Sequence, residues 1–286
     1  MTVWRGVMVA TALPFVDGRV DLDRYGEHVK WLLDNGCDGV VPNGSLGEYQ
    51  VLTPDERLAV LKTAASVDGA RVMPGVAAYG ALEARHWTQA AAEAGCRAVM
   101  LLPPTAYRAD ADSVMAHYRE VARVGLPIVA YNNPHDTRVD LTPPLLARLH
   151  EEGLIVGVKE FSGDVRRAYE IREQAPGLDL IVGADDVLLE LMLAGAVGWI
   201  AGYPNALPAQ CVALYRAARD LRLDQAVPLY RELHPLLRWD SRTEFVQAIK
   251  LSMDVAGRYG GPCRPPRQPL GPLAEKAIRE ATEAVL

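Results

Sequence analysis

The chain has 286 residues, half of which are hydrophobic, and it carries a net charge of −6 with a pI of about 5.6. This acidic balance lacks the basic surface of a nucleic-acid-binding protein, and no apolar run approaches the roughly 20 residues of a membrane span. The opening stretch MTVWRGVMVATALPFVDG lacks the charged, apolar and small-residue order of a secretory signal peptide. We therefore expect a cytoplasmic protein without nucleic-acid or membrane partners.

Short apolar runs rich in Val, Ile and Leu alternate with helix-period stretches as far as about Pro208. Asp21 opens the first of these stretches, which ends at Gly36. Thr53 opens the second, with Pro54 at a plausible first helical position. In chain order, the eight apolar runs read WRGVMVATAL, DGVVPNGS, ARVMPGVAA, RAVMLLPPT, LPIVAYNNP, LIVGVKEFS, LDLIVGADD and VGWIAGYP.

Near-continuous apolar strands that alternate with amphipathic helices are typical of a parallel sheet covered by helices. Eight such units favour an α/β fold of the closed (β/α)8 TIM-barrel type. The alternative is an open doubly wound sheet, but no G-x-G-x-x-G follows the first strand. From about Pro208 the pattern changes to helices. We predict a catalytic barrel over residues 1–218 and a C-terminal helical extension over residues 219–286.

Four cysteines stand far apart, and none belongs to a C-x-x-C pair. We expect reduced thiols that are mostly buried, with a catalytic thiol as the minority alternative. The six histidines form no H-x-x-x-H pair, so we predict neither a bound metal nor a cofactor. The cysteines are Cys37, Cys96, Cys211 and Cys263.

Strand parity indicates which side chains point into the barrel, because alternate residues of a strand face opposite sides. In the sixth run, Lys159 shares a face with Gly157, which leaves space beneath it. Catalytic groups of such barrels lie at the carboxyl ends of the strands. The inward groups at that rim are Ser45, Tyr131, Lys159 and Asp185, with Gly183 removing bulk between them.

A lysine inside a barrel is unusual, because an ammonium group is strongly hydrated. Desolvation lowers the pKa of the amine, and a neutral amine attacks carbonyl carbon to form an imine. This chemistry needs a proton shuttle, for which the Tyr131 phenol is well placed, with Ser45 as a relay. The alternative for Lys159 is an ion pair with Glu160 or Asp164, although Glu160 has the wrong parity.

Three weaker signals flank this centre. The glycine-rich turn PNGSLGE (Pro42–Glu48) has backbone N–H groups that can bind a carboxylate or phosphate, but a tight loop is the plain alternative. His135 and Asp136 lie at the mouth of the fifth strand. Asp185 can bind substrate hydroxyls.

Together, these segments resemble the family of dihydrodipicolinate synthase and N-acetylneuraminate lyase, which are class I, Schiff-base aldolases on a (β/α)8 barrel. NGSLGEYQVLTPDER is similar to the family's G-[ST]-x-G-E segment, and VAYNNP to its Y-N-x-P. GVKEFSGD is similar to its G-[IV]-K-x-x-[ST]-G-[DN], and GWIAGYPN to its eighth-strand segment. The match keeps its order from about Arg5 to Leu270.

The resemblance implies a lyase in which Lys159 forms an imine with pyruvate or a larger 2-oxo acid. Tyr131 would shuttle protons and Ser45 would hold Tyr131. The backbone amides of Ser45 and Leu46, next to Gly44, would bind the substrate carboxylate. Ile200 would pack against the substrate. Family members are usually homotetramers built as dimers of dimers, so we expect a homotetramer.

Three departures from the dihydrodipicolinate synthases are visible. Those enzymes have an arginine two residues after the proline of Y-N-x-P, where this chain has Asp136, with Arg138 two residues further on. Leu46 replaces a threonine of G-T-T-G-E. The tyrosine that a neighbouring subunit lends matches Tyr107 only after a one-residue slip. An anion in place of a cation repels a dicarboxylate, so we expect a family activity other than lysine biosynthesis.

The remaining family activities stay open at this stage. They include cleavage of sialic acid or 2-keto-3-deoxy sugar acids, dehydration of sugar acids, and deamination of hydroxy-pyrroline carboxylates. Asp185 matches the aspartate that meets sugar hydroxyls in sialic acid lyases, which favours a hydroxylated substrate. His135, Asp136 and Ser162 would then contact it. Two other classes are a non-catalytic barrel that binds a 2-oxo acid and a barrel enzyme that binds a phosphorylated substrate.

Overall fold

The chain, described over residues 2–286 in a computed structural model, contains nine strands within that range. Seven of them are parallel and form one sheet in the order β4-β1-β9-β8-β7-β6-β5, while β2 and β3 form a small antiparallel hairpin. The strands are β1 (Gly6–Ala10), β2 (Phe15–Val16), β3 (Arg19–Val20), β4 (Gly39–Val41), β5 (Val99–Leu101), β6 (Ile128–Asn132), β7 (Gly157–Glu160), β8 (Asp179–Val182) and β9 (Gly198–Ala201).

The sheet closes into a barrel through the third predicted strand, which lies between β4 and β5. This segment makes two isolated parallel bridges, Val40 with Val72 and Gly75 with Met100, instead of a continuous ladder. Pro74 interrupts it because proline has no N–H to donate to a neighbouring strand. The predicted (β/α)8 barrel is therefore confirmed, with seven regular strands and one bridged segment.

Helices follow the strands and cover the outside of the barrel. Asp21 caps the first helix by accepting from the N–H of Arg24, and Thr53 and Glu56 form a capping box on the second, so both predicted helix starts are confirmed. The barrel helices are α1 (Leu22–Asp34), α2 (Pro54–Ser66), α3 (Ala81–Glu93), α4 (Ala111–Ala122), α5 (Pro134–Thr137), α6 (Pro143–Glu151), α7 (Arg166–Gln174), α8 (Leu188–Leu193) and α9 (Pro208–Arg219).

Three further helices form the C-terminal extension: α10 (Leu223–Leu237), α11 (Phe245–Val255) and α12 (Pro272–Glu283). The Tyr230 hydroxyl on α10 donates to Glu190 Oε2 at 2.9 Å, which fastens the extension to α8. The loop between α10 and α11 crosses the mouth of the barrel at the carboxyl ends of the strands. We call this segment, residues 238–244, the crossing loop.

Apolar side chains fill the space between the sheet and its helices, including the fully buried Met8, Trp199 and Tyr203. Burial of a large apolar side chain contributes about 1.5–3 kcal/mol, so this core fixes the strand ends from which the polar site projects. All four cysteines are free thiols and three of them are buried, as predicted. None of the helices formed by residues 2–286 is long and apolar enough to cross a membrane.

Candidate active site

A cavity of about 350 Å³ opens at the carboxyl ends of the strands. The barrel and the extension both contribute to its wall. Its barrel residues are Ala10, Gly44, Ser45, Leu46, Gln50, Met100, Tyr131, Asn133, His135, Asp136, Lys159, Phe161, Ile200 and Gly202. Its extension residues are Asp240, Ser241, Arg242, Thr243, Phe245 and Arg267.

Lys159 lies on β7 and extends into the cavity with only 6% of its surface exposed. Its Nζ lies 4.2 Å from the centre of the Tyr131 ring, so the phenol face shields the amine. Burial lowers the pKa of Lys159, and the charges of Asp240 and Asp185 oppose that shift. The lowered pKa increases the fraction of neutral amine, which is the nucleophilic form.

The two carboxylates that offered an alternative partner to Lys159 bind other groups. Glu160 accepts from Asn132 Nδ2 at 2.9 Å and from the N–H of Ser162 at 2.6 Å, on the opposite side of β7. Asp164 binds the guanidinium of Arg166 at 2.7 Å. Lys159 is therefore not held in an ion pair with Glu160 or Asp164.

Tyr131 stands beside Lys159 because β6 and β7 pair in a register that places these two residues opposite each other. Its ring meets Phe161 edge to face, with 6.1 Å between ring centres. The Tyr131 hydroxyl accepts from Asn133 Nδ2 at 3.3 Å. Burial raises the pKa of Tyr131 well above its ordinary value, and the charges of Asp240 and Asp136 add to the rise, so the phenol stays protonated at neutral pH.

The turn from Pro42 to Glu48 brings Gly44, Ser45 and Leu46 to the cavity. Asn43 starts the turn with a φ of 58°, in the left-handed region. No group of residues 2–286 accepts a hydrogen bond from the N–H of Ser45 or Leu46. Free backbone donors at the wall of a cavity suit a carboxylate.

A buried ion pair holds this turn against the extension. Lys250 Nζ on α11 lies 3.3 Å from Glu48 Oε1, and the two side chains are 2% and 1% exposed. Glu48 Oε2 also accepts from the N–H of Arg264 at 3.0 Å. The last residue of the glycine-rich turn is thus a structural anchor, a function that the sequence pattern alone did not indicate.

Three predicted residues lie outside the cavity lining. Asp185 is fully buried, and its carboxylate accepts from Trp199 Nε1 at 2.9 Å and from the N–H of Gly202 at 3.1 Å and of Tyr203 at 3.0 Å. Those donors hold it behind the wall, so this placement gives it no contact with a substrate hydroxyl. Gly183 packs against β7, where a Cβ would meet the carbonyl oxygen of Glu160 at 2.4 Å.

Ser162, the third of these residues, lies beyond β7, and its carbonyl faces His135 Nε2 at 3.1 Å. Among the remaining predicted contacts, Gly44, Ile200, His135 and Asp136 do line the cavity. The Asp136 carboxylate accepts from Asn133 Nδ2 at 2.8 Å. No hydrogen bond joins Ser45 and Tyr131 within the part of the chain that the structure describes.

Sequence reasoning missed the contribution of the crossing loop. Asp240 is buried beside the barrel mouth, while Arg242 and Thr243 are exposed at the rim. Arg267, on the segment before α12, donates to the carbonyl of Thr243 at 3.2 Å and lines the same rim. A polar run between two amphipathic helices is typical of a surface turn, so the sequence offered no signal that this loop covers the barrel.

Tyr107 lies in the loop after β5, is 62% exposed in the single chain and is outside the cavity lining. Arg138 is exposed and is also absent from the lining. Within residues 2–286, no group of three or more His, Cys, Asp or Glu side chains is arranged to hold a metal ion. The polar groups that line the cavity include an amine, a phenol, carboxylates, an imidazole and two guanidinium groups, together with backbone N–H donors.

The sequence model of the dihydrodipicolinate synthetase family matches residues 3–286. The chain is 32% identical over 282 residues to the 4-hydroxy-tetrahydrodipicolinate synthase of Methanothrix thermoacetophila, covering 97% of this chain and 96% of that protein.

Two solved structures share the fold over nearly the whole chain. The dihydrodipicolinate synthase of Aquifex aeolicus superposes with a TM-score of 0.94 at 26% identity, covering 99% of this chain and 98% of that one. The 4-hydroxy-tetrahydrodipicolinate synthase of Methylacidiphilum fumariolicum SolV superposes with a TM-score of 0.93 at 26% identity, covering 98% and 95%.

Proposed function

Because the chain belongs to the dihydrodipicolinate synthetase family of class I aldolase-type lyases, we propose that Lys159 is the amine that forms an imine with its 2-oxo acid substrate. The enzyme then makes or breaks a bond beside that imine. The observation that carries the proposal is the position of Lys159. It is buried inside the cavity next to a protonated phenol, and it forms no ion pair with Glu160 or Asp164.

The first step follows from the groups that surround the amine. The neutral nitrogen of Lys159 attacks C2 of the 2-oxo acid, a C–N bond forms, and the carbonyl π electrons move to oxygen. The oxygen needs two protons to leave as water, and both come from the attacking nitrogen. In each transfer the Tyr131 hydroxyl donates a proton to the oxygen and regains one from the nitrogen, so the imine forms while Tyr131 remains a phenol. The C1 carboxylate binds the free N–H groups of Ser45 and Leu46, which orients C2 toward Lys159.

The substrate extends from C3 toward the rim, where charges of both signs are present. Asp136 and His135 lie on the barrel side, and Arg242 and Arg267 lie on the extension side. Hydroxyl groups suit the carboxylate and imidazole, while a distal carboxylate suits the guanidinium groups. We therefore propose that the substrate is a hydroxylated 2-oxo acid, and that the site also accepts substrates with a second, distal carboxylate.

A second candidate is the 4-hydroxy-tetrahydrodipicolinate synthase reaction. Sequence similarity favours it, since several relatives that match nearly the whole chain carry that name. Asp136, in place of the family arginine, disfavours it, and Arg138 lies outside the cavity lining. The arginines on the extension side offer another way to bind a second carboxylate, so this candidate deserves a direct assay.

The test is turnover on a panel of 2-oxo acids that differ in distal hydroxyl and carboxylate groups, read by release of pyruvate, water or ammonia. Formation of 4-hydroxy-tetrahydrodipicolinate is assayed in parallel. We expect turnover of at least one hydroxylated 2-oxo acid and none by Lys159→Ala, whose circular dichroism should match that of the wild-type protein. Full activity of Lys159→Ala would end the proposal.

Two competing classes make different predictions for the same panel. A non-catalytic barrel binds a 2-oxo acid without product. An enzyme that binds a phosphorylated substrate through hydrogen bonds alone keeps activity without Lys159. The combination of buried amine, buried phenol and free N–H groups favours the imine enzyme over both, because simple binding needs no nucleophile.

We further propose a cytoplasmic homotetramer, as the family resemblance implies. The exposed Tyr79 and Tyr107 support a protein surface that another subunit covers, since large exposed aromatic side chains are favourable at interfaces. Light scattering of the purified protein tests this assembly. A monomer at micromolar concentration would contradict it and would exclude a contribution of Tyr107 from a neighbouring subunit.

A further inference from the structure

Asp240 occupies an unusual position for a carboxylate of a connecting loop. It is only 7% exposed, although its neighbours Ser241 and Arg242 are exposed. Asp240 Oδ2 accepts from the N–H of Asp185 at 3.2 Å, just beyond β8. Its Oδ1 lies over Gly202, just beyond β9, where an added Cβ would approach that oxygen to 2.9 Å.

The order of the sheet places Asp240 and Tyr131 on opposite sides of Lys159. β7, which carries Lys159, lies between β6, which carries Tyr131, and β8. Asp240 lies over the ends of β8 and β9, on the side away from β6. Atoms that become attached to Lys159 Nζ in this cavity therefore lie between a phenol and a carboxylate.

The Asp240 carboxylate has one oxygen available for chemistry. No group of residues 2–286 donates a hydrogen bond to Oδ1, and the residue lines the cavity. Burial raises the pKa of Asp240 to about 6, although the nearby Lys159 ammonium lowers it. A carboxylate with a pKa near neutrality is a stronger base than an exposed one and still ionises at physiological pH.

Tyr131 is less suited than Asp240 to remove a proton. Its raised pKa keeps it a phenol, which donates well but is not a base until it ionises. An imine mechanism needs both functions, because the oxygen that leaves C2 and the nitrogen of the enamine each take up protons, whereas C3 loses one. The two sides of Lys159 thus offer a donor and an acceptor.

We propose that Asp240 is the base that removes a proton from C3 of the imine formed on Lys159. The proposal rests on the imine proposed above. The C3–H bond breaks and its electron pair forms the C2=C3 bond, while the C2=N π pair moves to nitrogen. That pair takes the proton of the Tyr131 phenol, which gives a neutral enamine and leaves Tyr131 as a phenolate. Asp240 becomes a neutral carboxylic acid. In the cleavage direction, that acid returns the proton to C3 of the enamine.

Exchange of the C3 protons of pyruvate isolates this step from the rest of the reaction. The enzyme is incubated with pyruvate in deuterated buffer, and loss of the methyl proton signal is followed by NMR. Borohydride trapping on Lys159 is measured in the same samples. We expect wild-type exchange well above the Lys159→Ala background, and a drop of roughly 10²-fold or more in Asp240→Asn with trapping retained.

Glu244→Gln is the matched control, because it removes one negative charge from the same loop at an exposed position outside the cavity. We expect its exchange rate to equal that of the wild-type protein. If Asp240→Asn does not fold, Asp240→Glu keeps the charge but displaces the carboxylate by one methylene, and exchange should fall about tenfold at unchanged trapping.

The outcomes separate the two proposals. Wild-type exchange rates in a folded Asp240 variant that still traps pyruvate would overturn the assignment of Asp240. Trapping without any exchange by the wild-type protein would overturn it as well. Absence of trapping in the wild-type protein would instead count against the imine on Lys159. Exchange that continues without trapping would show that loss of the C3 proton does not require the imine, and it would overturn the assignment of Asp240 as the base of that step.

Discussion

The two walls of the cavity are built in different ways. The barrel wall presents Lys159 and Tyr131 from adjacent strands, whose register fixes both residues. The extension wall presents Asp240 from a loop whose path depends on the packing of α10 and α11 against distant elements. Regular strand ends position the amine of Lys159 through local geometry, whereas the loop positions the carboxylate of Asp240 only after the whole chain has folded.

The two walls are joined at a small number of polar contacts. Lys250 on α11 binds Glu48 of the glycine-rich turn, and Arg264 binds Glu56 on α2 at 2.7 Å. Both acidic residues follow, by two to eleven positions along the chain, the segment that carries the free N–H groups of Ser45 and Leu46. The extension therefore supports the glycine-rich turn as well as covering the cavity.

The largest expected effect lies on the barrel wall. Tyr131→Phe removes the proposed proton donor beside Lys159, and we expect turnover to fall by roughly 10²–10⁴-fold, because general acid–base groups contribute on that scale. The fold should persist, since the ring remains packed edge to face against Phe161. Steady-state kinetics on the best panel substrate measures the effect, and an unchanged rate would reduce Tyr131 to a packing residue.

The alternation of side chains along a strand predicted from the sequence that Lys159 and Tyr131 point into the barrel. The prediction was possible because both residues lie within regular strands, β7 and β6. The same rule did not place Asp185, since β8 ends at Val182 and the chain turns before Asp185. Three N–H donors then hold its carboxylate behind the wall. Asp240 was not predictable, because no local pattern encodes the path of a loop across the barrel.

Breaking the connection between the walls should have the next largest effect, on stability. Glu48→Gln leaves the Lys250 ammonium buried without its counter-ion, which costs about 3–5 kcal/mol in comparable buried pairs. Urea unfolding followed by circular dichroism measures the change in the free energy of unfolding.

The double variant Glu48→Gln/Lys250→Met serves as the control for that experiment. We expect it to regain a substantial part of the loss, because it removes the uncompensated charge and leaves an apolar side chain of similar length. A loss below about 1 kcal/mol in Glu48→Gln would show that the pair does not hold the two walls together.

A smaller effect links Asp240 to the amine across the cavity. The Asp240 charge raises the pKa of Lys159, against the lowering by burial. Asp240→Asn removes that charge, so the pKa of Lys159 should fall further and more neutral amine should be present at low pH. We expect the acid limb of the trapping rate to shift to lower pH in this variant and to stay in place in Glu244→Gln. A shift to higher pH would contradict the sign.

The smallest effect concerns the partly exposed pair of Glu56 and Arg264. The hydrogen bond from Arg264 lowers the pKa of Glu56 from 4.5 to about 2. Its stabilisation is therefore present above pH 4.5 and lost as the pH falls toward 2. Glu56→Gln keeps the capping geometry and should cost about 1 kcal/mol or less at neutral pH. Thermal unfolding at several pH values should show the difference vanishing in acid; a constant difference would contradict the linkage.

Borohydride trapping tests most directly whether the barrel wall supplies the nucleophile. The protein is incubated with pyruvate, reduced and digested, and the modified peptide is mapped by mass spectrometry. We predict one adduct, on Lys159, and none in Lys159→Ala. An adduct on another lysine, or none on the folded protein with pyruvate and with every 2-keto-3-deoxy acid of the panel, would contradict the imine at Lys159.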